Sequence, residues 1–265
     1  MGRPAALVRA AHAGPAVAVV VLAVLLAVAD DLAPGRVLLV GLAVLAGQLS
    51  VGWCNDLVDH RRDRAVERRD KPLATGEVDL RIVQLACGLA VLAVVPLSLA
   101  CGWAAGVVHL LAVASAWAYN LWLKSTVWSW LPYAFSFGAL VAFVSLAGEP
   151  ADLPPWWMAV AAALLGVGAH LVNVLPDLAD DEATGVRGLP HRIGARRLPA
   201  VATAVLVAGS VVVAAGTGVT RVGSLAALAA VAVLAVVALT GRGRAPFAAA
   251  IGIALVDVVL LVTSA

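Results

Sequence analysis

Charge is what this 265-residue chain has least of: only 13% of its residues are Asp, Glu, Lys or Arg, while 63% are hydrophobic. That balance excludes an ordinary soluble globular domain, in which about a quarter of the residues are charged, and fits a polytopic membrane protein. Cysteine is scarce as well. Cys54, Cys87 and Cys101 show no metal-binding spacing and form no even disulfide set, which leaves them as small polarizable residues within helices. A formal net charge of +2 is too small to draw nucleic acid. The first apolar run does not read as a cleaved signal peptide, so a retained first span is expected. Nor is any serine, cysteine or histidine placed to serve as an activated nucleophile.

Long apolar runs, by contrast, are plentiful. They predict an all-α fold: a polytopic membrane helical bundle with nine transmembrane helices, forming a single domain over residues 1–265. The spans fall near 15–29, 37–54, 80–99, 102–123, 129–147, 156–176, 197–217, 222–240 and 246–263. With the N-terminus in the cytoplasm, 16 of the 18 Lys and Arg residues fall on the cytoplasmic side. Arg3, Arg9, Lys124, Arg242 and Arg244 are among them, and only Arg36 and Arg221 lie outside. The expected location is the cell membrane, multi-pass, with the C-terminus outside. Abundant Ala, Val, Leu and Gly suit close helix packing in lipid.

The few acids are concentrated. Of 16, 7 lie between Asp56 and Asp79 and 4 between Asp177 and Glu182. They fall in acidic cytoplasmic loops, about 54–79 and 177–196, that follow the second and sixth spans. Ionisable groups at the edge of a membrane need a counter-ion or a function. If the second span continues as a helix, Asp56, Asp59 and Asp63 stand at i, i+3 and i+7 on one stripe, with Asn55 beside them as a neutral oxygen donor. Asn173, Asp177 and Asp181 are spaced i, i+4 and i+8, again one face, with Asp180 adjacent. Carboxylate and amide oxygens are what a hard cation such as Mg²⁺ prefers.

Cations follow both clusters: Arg61, Arg62, Arg64, Arg68, Arg69 and Lys71 after the first, Arg187, His191 and Arg192 after the second. Carboxylates for a metal, with Arg and Lys beyond them for residual phosphate charge, are the components of a metal–diphosphate site. The structural alternative for the arginines is that they pair with the acids at the membrane surface and set topology.

Asn55-Asp56-x-x-Asp59-x-x-x-Asp63, followed by Asp70-Lys71-Pro72-Leu73 and Gly76, resembles the first aspartate-rich motif of the UbiA superfamily of intramembrane prenyltransferases. Asp177-Leu178-Ala179-Asp180-Asp181, with Gly185 and Leu189-Pro190, is similar to the second. The resemblance spans nearly the whole chain. It implies a polyprenyl diphosphate substrate, a small-molecule acceptor and Mg²⁺ as cofactor, in contact with membrane lipid and with the active site on the cytoplasmic side. By it, Asp56, Asp59 and Asp63 bind one metal and Asp177 and Asp181 another, and these five are the catalytic residues. Asn55, Arg62, Lys71, Tyr119, Lys124, Asn173 and Arg187 are then the substrate-binding residues. Lys71 stands where the family often has Arg, keeping the charge without the bidentate fork. The family's Tyr-x-x-x-Lys element is matched by Tyr119 to Lys124, one residue longer.

An allylic cation needs a dry pocket, and aromatic faces stabilise it. Trp53 and Tyr119 are the candidates beside the motifs, whereas Trp156 and Trp157 suit an interfacial anchor. His109 and His170 are expected to be hydrogen-bonded packing residues, and Asp257 in the last span faces either a cavity or another helix. The alternatives to a transferase are a cyclase of similar pattern acting on the same diphosphates and an ion or metabolite transporter. The transporter is disfavoured because its carboxylates would lie near the bilayer midplane, not at one edge.

Overall fold

The structure is a computed structural model and describes residues 3–218, 222–241 and 245–263. Arg221, Arg242 and Arg244, which enter the charge asymmetry, lie outside the described residues, as does the side chain of Arg3. Every regular element among the described residues is helical. They form two compact units, one reaching Trp122 and including Phe143–Ala151, the other comprising Leu123–Ala142 and residues from Asp152 onward.

In the first unit, α1 (Arg3–Ala10) bends by 70° into α2 (Ala13–Ala29). It continues with α3 (Pro34–Ala65), α4 (Pro72–Thr75), α5 (Leu80–Ala100) and α6 (Trp103–Leu121). Pro34 opens α3, where its missing N–H costs nothing. α3 is central and packs against α2, α5 and α6. Its buried positions Gly41, Ala43, Ala46, Gly47 and Ser50 are small and let the neighbours approach. α5 starts at Asp79, whose carboxylate accepts from the Arg81 N–H at 2.7 Å. Leu85, Leu89 and Leu92 form an outward apolar stripe on it, suited to lipid.

The second unit holds α7 (Leu131–Leu146, up to Ala142), α8 (Trp156–Val174), α9 (Leu178–Ala183), α10 (Leu189–Ile193), α11 (Leu198–Thr217), α12 (Val222–Thr240) and α13 (Ala245–Val262). α11 packs on α8, α12 and α13 around Leu165, Leu206, Val231, Ala250 and Ile253. Asp257 on α13 is buried and accepts a hydrogen bond from the Ser210 hydroxyl on α11, so it joins two helices.

Among the described residues, seven helices are long and apolar enough to cross a membrane, and the bent pair α1–α2 makes an eighth if it is one span. The fold is therefore all-α and polytopic. The remaining expected span, the fifth, near 129–147, falls on α7, whose 16 residues cover about 24 Å at 1.5 Å per residue against about 30 Å of hydrocarbon. His109 and His170 are packing residues as expected. The Nδ1 of His109 lies 2.7 Å from Ser98 Oγ and its ring stacks on Phe143, while the Nε2 of His170 lies 3.1 Å from Ser129 Oγ and its ring stacks on Tyr133.

Candidate active site

The first acidic segment is not a loop at its start. α3 runs unbroken to Ala65, and its 32 residues span about 48 Å, so its last turns reach past the hydrocarbon. The helical period therefore carries through Asp56, Asp59 and Asp63, and all three are buried. α3 then stops in a well-defined way. Glu67 adopts φ 53°, Glu67 N–H donates to Arg64 O at 3.3 Å, and Arg68 N–H donates to Asp63 O at 3.0 Å. This is the paired-carbonyl helix end that a left-handed residue permits. The chain turns back through Arg68, which grips the exposed Asp70 with two hydrogen bonds of 2.8 Å. Those bonds hold the Asp70 carboxyl down at about 2.

The turn delivers Lys71 to the stripe. Its Nζ donates to Asp56 Oδ1 at 2.8 Å. Arg62 pairs with Asp59 one turn further along. Asn55 donates its amide N–H to Asn120 Oδ1 at 3.2 Å, and Asn120 donates in turn to the Val51 carbonyl at 2.9 Å, which fixes the Asn55 side chain from α6. Trp53 is buried and donates Nε1–H to Leu7 O at 3.0 Å, so its polar edge holds α1. Tyr119 is half-buried on α6 beside Asn120.

The second acidic segment departs from the expected single face. α8 ends at Val174, Leu175–Asp177 forms a 3₁₀ turn containing Pro176, and α9 begins at Leu178. The 3.6-residue period behind the i, i+4, i+8 spacing of Asn173, Asp177 and Asp181 does not run through that turn, because proline removes a backbone donor. Asn173 is exposed, whereas Asp177 and Asp181 are half-buried. α9 ends as α3 does: Gly185 takes φ 84°, with Gly185 N–H on Glu182 O at 3.2 Å and Val186 N–H on Asp181 O at 2.8 Å. His191, on α10, places Nε2 3.7 Å from Asp181 Oδ2. Arg187 is exposed between them, and Lys124 sits in the 3₁₀ turn Leu123–Ser125. The fully buried Ser129 ties this region to α8, accepting from Leu189 N–H at 3.0 Å and lying beside His170.

Two site residues carry no motif signal. His12 lies in the bend between α1 and α2, 44 residues before the carboxylate it touches; its Nε2 is 3.0 Å from Asp56 Oδ1. Asn120 is the other, and only its place beside Tyr119 gave a hint.

Among the described residues no three acidic, histidine or cysteine side chains are already arranged as a metal site. Asp56 and Asp59 carry protein cations instead. The donor set nonetheless fits a hard divalent ion. It offers a stripe of three carboxylates with a neighbouring amide, and Asp56 Oδ2 is buried with no hydrogen-bond partner. A buried carboxylate oxygen is costly when left so.

Together these features define a polytopic, all-helical membrane protein with buried carboxylates and paired cations at the end of a long helix. The chain belongs to the UbiA prenyltransferase family, whose family model matches residues 16–254. It is thus an intramembrane prenyltransferase by family. No curated protein sequence matches it. Among solved structures it is similar to a UbiA homologue from Archaeoglobus fulgidus bound to DMAPP and Mg²⁺, at 16% identity and a TM-score of 0.71, covering 97% of this chain and 99% of that one. A UbiA homologue from Aeropyrum pernix K1, in its apo form, gives 17% identity and a TM-score of 0.71 over 97% and 96%. A digeranylgeranylglyceryl phosphate synthase gives 15% identity and a TM-score of 0.69 over 100% and 99%. At such identities the likeness is one of fold.

Proposed function

We propose that this prenyltransferase uses Mg²⁺ to ionise a polyprenyl diphosphate and passes the prenyl group to a small nucleophilic acceptor, aromatic or otherwise. Asp56, Asp59 and Asp63 hold one Mg²⁺, and Asp177 and Asp181 hold another. The observation that carries this reading is the stripe of three buried carboxylates on α3, with Lys71 on the first of them. The A. fulgidus homologue bound to DMAPP and Mg²⁺ supports the choice of ligands. When bound, the metal draws electron density from the diphosphate leaving group and weakens the allylic C–O bond.

The protein's own residues do the rest. Lys71, Arg62, Lys124 and Arg187 neutralise phosphate charge as the diphosphate leaves with the bonding electron pair. Asn55, steadied by Asn120, and Asn173 supply neutral oxygens. Tyr119 offers an aromatic face to the positive charge left on the prenyl carbon. The acceptor then bonds to that carbon and gives up its proton to the released diphosphate, which balances the transfer. Apolar helix walls keep water from competing.

The same reading places nine spans in one domain, with the bent pair and α7 as two of them. It puts both acidic segments on the cytoplasmic side, in keeping with the side on which the arginines gather. Product analysis tests the reaction type. Purified protein with Mg²⁺, an allylic diphosphate and candidate acceptors should yield prenylated acceptor together with diphosphate. Diphosphate release without acceptor, accompanied by a cyclic hydrocarbon, would identify a cyclase instead.

A further inference from the structure

The bend between α1 and α2 is held against the rest of its unit at four independent points. Trp53 donates to the Leu7 carbonyl, and Arg9 pairs with Glu77. The Ala11 carbonyl occupies the place a β-carbon would take on Gly52, so only glycine at that position of α3 admits it. The fourth point is His12. Its backbone sits at φ 54°, ψ 53°, a left-handed conformation that crowds a β-carbon. Strain of this kind persists where the surroundings over-determine it, and it clusters at functional sites.

Three polar atoms converge there. His12 Nε2 is 2.7 Å from Lys71 Nζ and 3.0 Å from Asp56 Oδ1, and Nζ is itself 2.8 Å from Oδ1. One ring nitrogen cannot serve both neighbours, because it either accepts from the ammonium or donates to the carboxylate. With Lys71 in place, the ammonium donates to both and the imidazole accepts. If the ammonium turns away to a phosphate, the half-exposed imidazole gives its Nδ1 proton to solvent, takes one from solvent at Nε2, and donates to Asp56 without moving.

We propose that His12 is a positioning residue of the diphosphate site, holding Lys71 beside Asp56 before substrate arrives and taking over the Asp56 carboxylate when Lys71 turns to phosphate. The proposal rests on the reading of Asp56 as a metal ligand and Lys71 as a diphosphate contact. Its consequence is that the unpartnered Asp56 Oδ2 keeps its aim throughout the exchange. A hydrogen bond behind a liganding carboxylate is the kind of support that sets metal affinity.

The test uses the full chain purified in detergent, with calorimetric titration of Mg²⁺ in the presence of inorganic pyrophosphate. His12→Asn suits a left-handed backbone but is too short to reach the pair, whereas His12→Gln brings an amide N–H to the position of Nε2. His12→Asn is expected to weaken Mg²⁺ affinity about 10- to 100-fold and to raise KM for the allylic diphosphate more than it lowers kcat. His12→Gln should restore the affinity. Wild-type Mg²⁺ affinity in His12→Asn, or an equal loss in His12→Gln, would overturn the proposal. Asp56→Asn separates the two layers. If it too binds Mg²⁺ like wild type, the underlying metal reading fails; if it alone loses affinity, only the role of His12 does.

Discussion

Asp56 shows how much a single side chain carries here. It is 2% exposed, with one oxygen on Lys71 and the other without a partner. Removing the lysine takes away the cation of a buried carboxylate and leaves His12 Nε2 as the neighbour of its Oδ1, a larger loss than that of a surface pair. Lys71→Ala should therefore raise KM for the diphosphate at least tenfold, on the order expected for losing a charge-assisted contact, while Lys71→Arg, which keeps the cation, should stay close to wild type in steady-state kinetics. Ser129 is the matching residue in the second unit. Ser129→Ala leaves the half-buried Leu189 N–H without its acceptor and should cost about 1 kcal/mol in thermal unfolding, the net worth of a hydrogen bond. At this scale the sequence announced the acids and Lys71 through spacing and charge. It did not announce His12, because a lone histidine 44 residues from its partner has no pattern, and only the bend in the chain brings the two together.

Helix ends decide where the motifs stop. α3 and α9 close with the same pair of backbone hydrogen bonds, one through Glu67 and the other through Gly185. Glycine is the residue that conformation prefers, so Glu67→Gly should stabilise the end of α3 by up to about 1 kcal/mol, read as a rise in Tm, with activity retained. The turn beyond it adds a pH dependence. The Asp70 carboxyl is lowered from 3.8 to about 2 by Arg68, so its pairing stabilises the turn above the unfolded value and is lost as pH falls from about 4 through 2. Asp70 is mostly exposed, so solvent screens the effect; Asp70→Asn should remove Asp70's own small share of the acid dependence of Tm in that window and leave a shallower loss. Elements were legible where apolar length spoke clearly, as in the seven long helices. Pro176 is less legible: its 3₁₀ turn interrupts the helical register that the spacing of Asn173, Asp177 and Asp181 predicts. The bend around His12 has no such signal: the expected first span, near 15–29, begins after it, and α1 lies outside that apolar run.

At the scale of the whole chain, composition and two aspartate-rich motifs were enough to indicate a polytopic helical protein of the UbiA family, and the family match over residues 16–254 agrees. Acceptor choice and prenyl chain length had no such signature, because they depend on the shape of an apolar pocket rather than on charged spacing. The account's central claim is that carboxylates from both acidic segments carry a Mg²⁺-dependent ionisation. The most direct measurement is diphosphate release from an allylic diphosphate by purified wild type, Asp56→Asn and Asp177→Asn, each with Mg²⁺ and with excess chelator. The account predicts release by wild type with Mg²⁺ only, and near-background release in both variants. Wild-type rates in either variant, or release that persists in chelator, would contradict it.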